Sequence, residues 1–311
     1  PVVIGASVLY VAERSQHVMT INGSEDGRAD DLSLLAPHLF DGHKIVDSAC
    51  ILAPSPIAVF LRDDGVLLCL NYLPQEEILG WFRITFNRPV GSIAAIPEGD
   101  SDALYIASKI NGHITLERMR FGAEPTQPNE IPYLDSTIYF DGKGNATGEL
   151  TGLTLFAGML VYVLLDDDDE PHIVRVGTDG KMQLPQPATK ASIGTLVAAR
   201  ARLLPFIFEG EVDGALSIIK NVHRVTLMLH RSKGVSVGTD WQLSNTAFED
   251  SAGLETEARL EVAERYEGLY SGMRELPIED GWNTDGSLVL GSNKPQPARI
   301  TTVIAEVSLG V

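Results

Sequence analysis

Apolar positions in this chain fall in short runs bounded by Gly, Pro, Asn and Asp, the pattern of strands joined by tight turns. Asp64-Gly65, Asn111-Gly112 and Asp179-Gly180 are dipeptides that supply the positive φ of a hairpin. They separate residues 57–61 from 66–70, 104–106 from 114–116, and 173–176 from 182–184. Helical spacing is scarce. The best case is residues 31–40, with Asp30 or Asp31 as N-cap, Leu32, Leu35 and Leu39 on one face, and Pro37 making it short or kinked. Residues 256–266 read as a helix or, through Leu260 and Val262, as a strand.

A weak repeat runs through the first third. Ser7-Val8-Leu9-Tyr10-Val11, Ile57-Ala58-Val59-Phe60-Leu61 and Ala103-Leu104-Tyr105-Ile106-Ala107 recur at roughly the spacing of a propeller blade. One unit resolves into four strands at 45–52, 57–62, 66–72 and 80–86. The next shows 90–96, 103–109, 113–121 and a less clear fourth partner. Four antiparallel strands per unit predict β-propeller-like architecture over a plain sandwich.

Residues 122–129 read as a linker, and 133–186 as a strand-rich segment closing at Leu184-Pro185-Gln186-Pro187. Further strands are predicted at 197–208, 222–230, 288–290 and 300–307, with an acidic stretch at 240–280 between them. The expected fold is mainly β. Propeller blades occupy 1–124, a small inserted β-domain 125–200, and strands that close the propeller or form a further β unit 201–311.

Charge narrows the partners. Lys and Arg total 24 against 42 Asp and Glu, a net −18 with acid excess in every third of the chain. A protein that grips nucleic acid by neutralising phosphates, or an anionic membrane surface through basic residues, needs the opposite balance. The longest apolar run, 160–165, is too short to span a bilayer, and no leader pattern opens the chain, so neither anchor nor signal peptide is expected. A start at Pro1 inside a strand-like run predicts a piece of a longer polypeptide. Cys50 and Cys69 lie in apolar runs and are expected reduced and buried.

The motif search is negative. Gly234-Val235-Ser236-Val237-Gly238 matches the nucleophile-elbow pattern, yet no helix pattern follows and His230 is the last histidine. A glycine-rich hairpin is expected there. Residues 142–148 are glycine-rich without opening a helix, so a loop is expected rather than a phosphate cradle. The acidic run 166–170 lacks the spaced ligands of a calcium loop and reads as a solvated hairpin tip. His17, His38, His43, His113, His172, His223 and His230 show no zinc spacing. No catalytic, cofactor or metal residue is therefore assigned, and an enzyme is not expected.

Several blocks carry a resemblance. Asp30-Asp31-Leu32-Ser33-Leu34-Leu35-Ala36-Pro37-His38-Leu39-Phe40 resembles the short helix of the tail nozzle proteins of short-tailed bacteriophages, the tail tubular protein B family. Arg62-Asp63-Asp64-Gly65-Val66-Leu67-Leu68-Cys69-Leu70-Asn71-Tyr72 and Gly80-Trp81-Phe82-Arg83 fit next. Tyr133-Leu134-Asp135-Ser136, Leu184-Pro185-Gln186-Pro187-Ala188 and Asn221-Val222-His223-Arg224-Val225-Thr226-Leu227 follow in the family's order. Gly281-Trp282-Asn283-Thr284-Asp285-Gly286 and Lys294-Pro295-Gln296-Pro297 complete the series over roughly residues 7–307, while 240–275 departs from it.

The resemblance implies a structural virion protein, a tail nozzle whose subunits form a hexameric ring and conduit for DNA ejection. Its partners would be other copies of itself, the tail adaptor and tail fibres or tailspikes, with double-stranded DNA passing unbound. It would act in the phage tail after assembly in the bacterial cytoplasm, encoded by a phage or prophage. The alternative is a propeller module of a phage tail that binds or hydrolyses glycans, which would show a pocket of close carboxylates and aromatics instead of broad contact faces.

Overall fold

The computed structural model describes residues 1–12, 16–22, 29–122, 131–166, 168, 170–206, 218–238, 268–278, 281–284 and 286–310. The chain is mainly β, with several four-stranded antiparallel sheets. It divides into two compact units, Pro1–Glu124 with Thr154–Ala157, and Pro125–Leu153 with Gly158–Val311.

The first unit holds three successive meanders. Strands β1 (Val2–Ile4), β2 (Ser7–Val11), β3 (Val18–Asn22) and β4 (Ala29–Asp31) pair in chain order. So do β5 (Ile45–Ile51), β6 (Ile57–Arg62), β7 (Leu67–Leu73) and β8 (Ile78–Ile84). The third sheet has β9 (Val90–Glu98), β10 (Ser101–Ile110) and β11 (His113–Arg120), so the expected fourth partner is absent from it among the described residues. The first strands β1, β5 and β9 lie alongside one another.

The three repeated pentads are β2, β6 and part of β10, the second strand of each sheet. Their alternation sets the stacking. Ala58 and Phe60 share one core with Leu9 and Val18 of the first sheet, while Val59 and Leu61 share another with Leu104 and Ile106 of the third. The middle sheet is thus covered on both faces, which explains the near-continuous apolar runs of β6 and β7.

Two of the expected hairpins form as read. Gly65 adopts φ 86° between β6 and β7, and Asn111 and Gly112 adopt φ 48° and 85° between β10 and β11. The helix expected at 31–40 is corrected. Only a 3₁₀ turn forms, Pro37–Leu39, with Pro37 at its start, where a missing N–H costs nothing. The Asp31 carboxylate accepts from the Ser33 backbone N–H, bending the chain locally instead of opening an α-helix. Leu32 and Leu39 are buried as expected, but Leu35 is 83% exposed.

The second unit pairs strands far apart in sequence. One sheet runs β12 (Ser136–Asp141), β17 (Lys190–Thr195), β14 (Leu160–Leu165), β15 (His172–Arg175), and β13 (Thr147–Leu150) pairs with β16 (Met182–Ala188). The turn at Asp179-Gly180 forms, with Gly180 at φ 75°, but it joins β15 and β16 of different sheets. Leu184-Pro185-Gln186-Pro187 lies within β16 and does not close the segment, because β17 returns to pair with both β12 and β14.

Two more sheets follow, β18 (Ala199–Arg202) with β22 (Val289–Ser292) and β20 (Ser236–Gly238), and β21 (Tyr270–Pro277) with β19 (Lys220–Ser232) and β23 (Ile300–Leu309). Val225, Leu227, Val237, Leu276 and Leu290 share their core. Strand β21 falls inside the acidic stretch 240–280, while the helix-or-strand at 256–266 and most of the linker at 122–129 lie outside the described residues.

Candidate functional site

Among the described residues, His43, Asp63 and Asp64 gather at the β6–β7 turn. The Asp63 N–H donates to the Lys44 carbonyl, fastening the turn against the segment that enters β5. This brings His43 onto both turn carboxylates, Nδ1 at 3.2 Å from Asp63 Oδ1 and Nε2 at 3.7 Å from Asp64 Oδ2. The three side chains offer one nitrogen and two oxygens close enough together to meet a single cation.

Arg62 bears on what this cluster can do. Its guanidinium grips Asp64 through Nε to Oδ1 at 3.0 Å and through Nη2 to Oδ2, while Nη1 donates to the Leu39 carbonyl at 2.7 Å. The hydrogen bond from Arg62 holds the Asp64 carboxyl below its usual range against burial, with help from the Val66 N–H and the Arg62 and His43 charges. A fixed guanidinium on Asp64 disfavours a divalent ion there and makes the cluster an electrostatic latch between the 3₁₀ turn and the second sheet. Sequence spacing could not reveal it, because His43 and the two acids are about twenty residues apart and meet only through the Lys44 contact.

The other motifs fall as follows. Ser236 sits in β20 and is only 3% exposed, unlike the presented serine of a nucleophile elbow. Residues 142–146 form the turn between β12 and β13, where Lys143 and Gly144 adopt φ 51° and 86° and Gly142 N donates to Thr189 O, and Thr147 and Gly148 open β13. The acidic run lies between the paired strands β14 and β15. Asp168 accepts from His172 Nε2 at 2.7 Å, and Glu170 pairs with Lys233 at 3.1 Å, so the described acids are partnered within their own unit. Asp167 and Asp169 lie outside the described residues.

Carboxylates elsewhere act as structural acceptors. Asp47 of β5 takes the Ile93 N–H of β9, and buried Asp102 of β10 takes the N–H groups of Leu52 and Ala53. Each stitches the second sheet to the third. Cys50 and Cys69 are free thiols, half-buried and buried; burial, with the Asp102 charge adding to it at Cys50, pushes them to about 11 and about 12. No helix of the described residues is long and apolar enough to cross a membrane.

Blocks that are distant in sequence meet in this framework. Trp81 Nε1 donates to the Leu32 carbonyl, and Arg62 reaches Leu39, joining residues 30–40 to 62–72 and 80–83. The Tyr133 N–H donates to the Pro295 carbonyl. Lys220 and Asn283 exchange backbone hydrogen bonds of 2.6 and 2.8 Å, and the fully buried Lys220 ammonium donates to Thr284 O. Neither a protein-family model nor a curated protein matches the chain.

Proposed function

We propose that the protein is a structural component of a phage tail, a nozzle or tube part that contributes to a ring-shaped conduit for DNA ejection. One observation carries the reading. Blocks that resemble tail nozzle proteins touch one another, 30–40 with 62–72 and 80–83, and 133–136 with 294–297, while 281–286 meets Lys220 at the head of the 221–227 block. Those contacts are backbone hydrogen bonds and buried side-chain anchors, the equipment of a rigid framework rather than of a reactive centre.

The three meanders with their first strands side by side support blade-like packing in residues 1–124. The net −18 suits a wall along which a polyanion slides. Partners in this reading are further copies in a sixfold ring, the tail adaptor, and tail fibres or tailspikes. Electron microscopy of the purified protein with image averaging tests it: particles with sixfold symmetry and a central opening are expected. Absence of sixfold particles together with specific binding or cleavage on a bacterial glycan array would overturn the reading in favour of a glycan-directed module.

A further inference from the structure

We propose that Met228, Met273 and His230 form a binding site for a soft monovalent cation, Cu(I) or its analogue Ag(I), on the solvent-facing side of the sheet β21-β19-β23. The site lies within that one sheet and does not rest on the conduit reading.

Of the chain's six methionines, Met228 and Met273 are the exposed ones, at 37% and 59%. They are direct cross-strand partners in β19 and β21, so their side chains share a face with Cβ atoms about 5 Å apart. Neither fills the core, because Leu227 and Leu229 on either side of Met228 do so. His230 follows two residues after Met228 and is exposed in its turn. A bulge presents it. Between the pairs Leu229–Gly272 and Ser232–Tyr270, His230 and Arg231 stand opposite Ser271 alone. Arg231 adopts φ 44°, a conformation that costs energy outside glycine, and its N–H is satisfied by the Ser271 hydroxyl at 2.9 Å. The His230 N–H donates to the Arg299 carbonyl at 3.1 Å, and its own carbonyl accepts from the Ser232 hydroxyl at 3.1 Å. The backbone here is fastened by specific side chains, while no hydrogen bond or ion pair of the described residues engages the His230 ring.

The donors decide which ion fits. Two thioethers and one imidazole make a soft set that selects Cu(I), whereas calcium and magnesium require oxygen ligands. The carboxylate able to harden the set is Glu275, two residues along β21 from Met273, and Arg224 Nη1 already holds it at 2.8 Å. Reach is sufficient. Each methionine is unbranched with three rotatable bonds, and His230 stands about 7 Å along the strand from Met228, so three donor atoms can converge on one ion above the sheet. Spacing of His and Cys in the sequence does not reveal such a site, since two of its donors are thioethers and strand pairing brings Met273 to the other two.

The whole chain with Cys50→Ser, which removes the half-buried thiol as a competing soft donor, is the sample for the test. Its methionines carry a carbon-13 label on the ε-methyl, with the Met228 and Met273 signals assigned from Met228→Leu and Met273→Leu. Cu(I), added under argon as its acetonitrile complex, should move both signals together and saturate at one equivalent, and Ag(I) should do the same. In competition with bicinchoninate, His230→Ala and each Met→Leu variant should weaken Cu(I) binding by about tenfold or more. All three positions are exposed, so the variants keep their fold. Methyl signals that stay in place would overturn the site, and unchanged affinity in His230→Ala would overturn the donor set. An equal response to magnesium would overturn the soft-ion assignment. Cation binding is read from methyl signals and sixfold symmetry from particle images, so either reading can fail alone.

Discussion

The indole Nε1 of Trp81 donates to the Leu32 carbonyl at 2.8 Å, so the last strand of the second sheet is pinned to the segment leaving the first. Phe40 meets the same indole edge-on at 5.1 Å between centroids, and Phe60 lies against it at 5.9 Å. One side chain thus satisfies a backbone acceptor in a non-helical connection and fills the core between two sheets.

Replacing Trp81 should separate these roles. Trp81→Phe keeps the aromatic packing but strands the Leu32 carbonyl, a loss of about 1–2 kcal/mol. Trp81→Ala adds a cavity beside Phe40 and Phe60 and should cost about 3 kcal/mol. Urea titration followed by far-UV circular dichroism checks both; an unchanged stability in Trp81→Phe would mean that the hydrogen bond contributes nothing, and equal losses would mean that the ring packing does not contribute.

How much of this was legible follows from the reach of each signal. The pentads at Ser7, Ile57 and Ala103 mark the second strand of each sheet, and their alternation encodes which neighbour each side chain meets. Such period-2 information is local and readable. Residues 31–40 misled because leucines at helical spacing outweighed Pro37 and the Ser33–Asp31 turn, so a connection that packs on a core passed for a helix. In the second unit, β17 inserts between β12 and β14, and no local pattern specifies a partner some fifty residues away. The His43–Asp63–Asp64 latch has the same cause: tertiary contact, not spacing, assembles it.

The latch gives an acid-side prediction. The folded Asp64 carboxyl lies below its ordinary value of 3.8 because Arg62 hydrogen-bonds its charged form. Its contribution is therefore complete above the unfolded value and is lost as pH falls through the folded one. Stability measured by thermal melts from pH 5 to pH 2 should fall, and the fall should be shallower for Asp64→Asn. An unchanged slope in that variant would remove Asp64 from the account.

Thiol reactivity should follow burial. With Cys50 pushed to about 11 and Cys69 to about 12, thiolate at neutral pH is roughly a ten-thousandth or less of either group. Iodoacetamide at pH 7 should leave both thiols unmodified in the folded protein and alkylate both in guanidinium, read by intact mass. Rapid modification of Cys69 without unfolding would contradict its burial.

Gly194 should tolerate no side chain. It pairs with Thr137 on one side and Tyr162 on the other, and a Cβ there would sit 1.9 Å from the Ser136 carbonyl oxygen. Backbone, unlike a flexible side chain, cannot step aside. Gly194→Ala should lower stability by about 2 kcal/mol or more, whereas Gly148→Ala, with open space around its would-be Cβ, should change it far less. Similar midpoints for the two variants in urea would refute the close approach.

The conduit reading makes a claim about DNA that composition alone does not force. Each Lys or Arg set against a phosphate releases counterions and adds a salt-dependent term of about 0.9 in the logarithmic slope. In a ring, every such contact is repeated by each subunit, so even weak single contacts would arrest a moving duplex. A wall suited to passage must therefore be neutral or negative. The net −18 permits this, and the ion pairs at Arg62, Arg88, Arg118 and Arg224 tie basic groups to carboxylates of the same chain. Acids that only keep a surface soluble would leave basic patches free to act elsewhere. The expected result is no shift of double-stranded DNA by this protein in a gel titration at physiological salt. Binding that weakens steeply with added salt would show an exposed basic track and end the non-stick account.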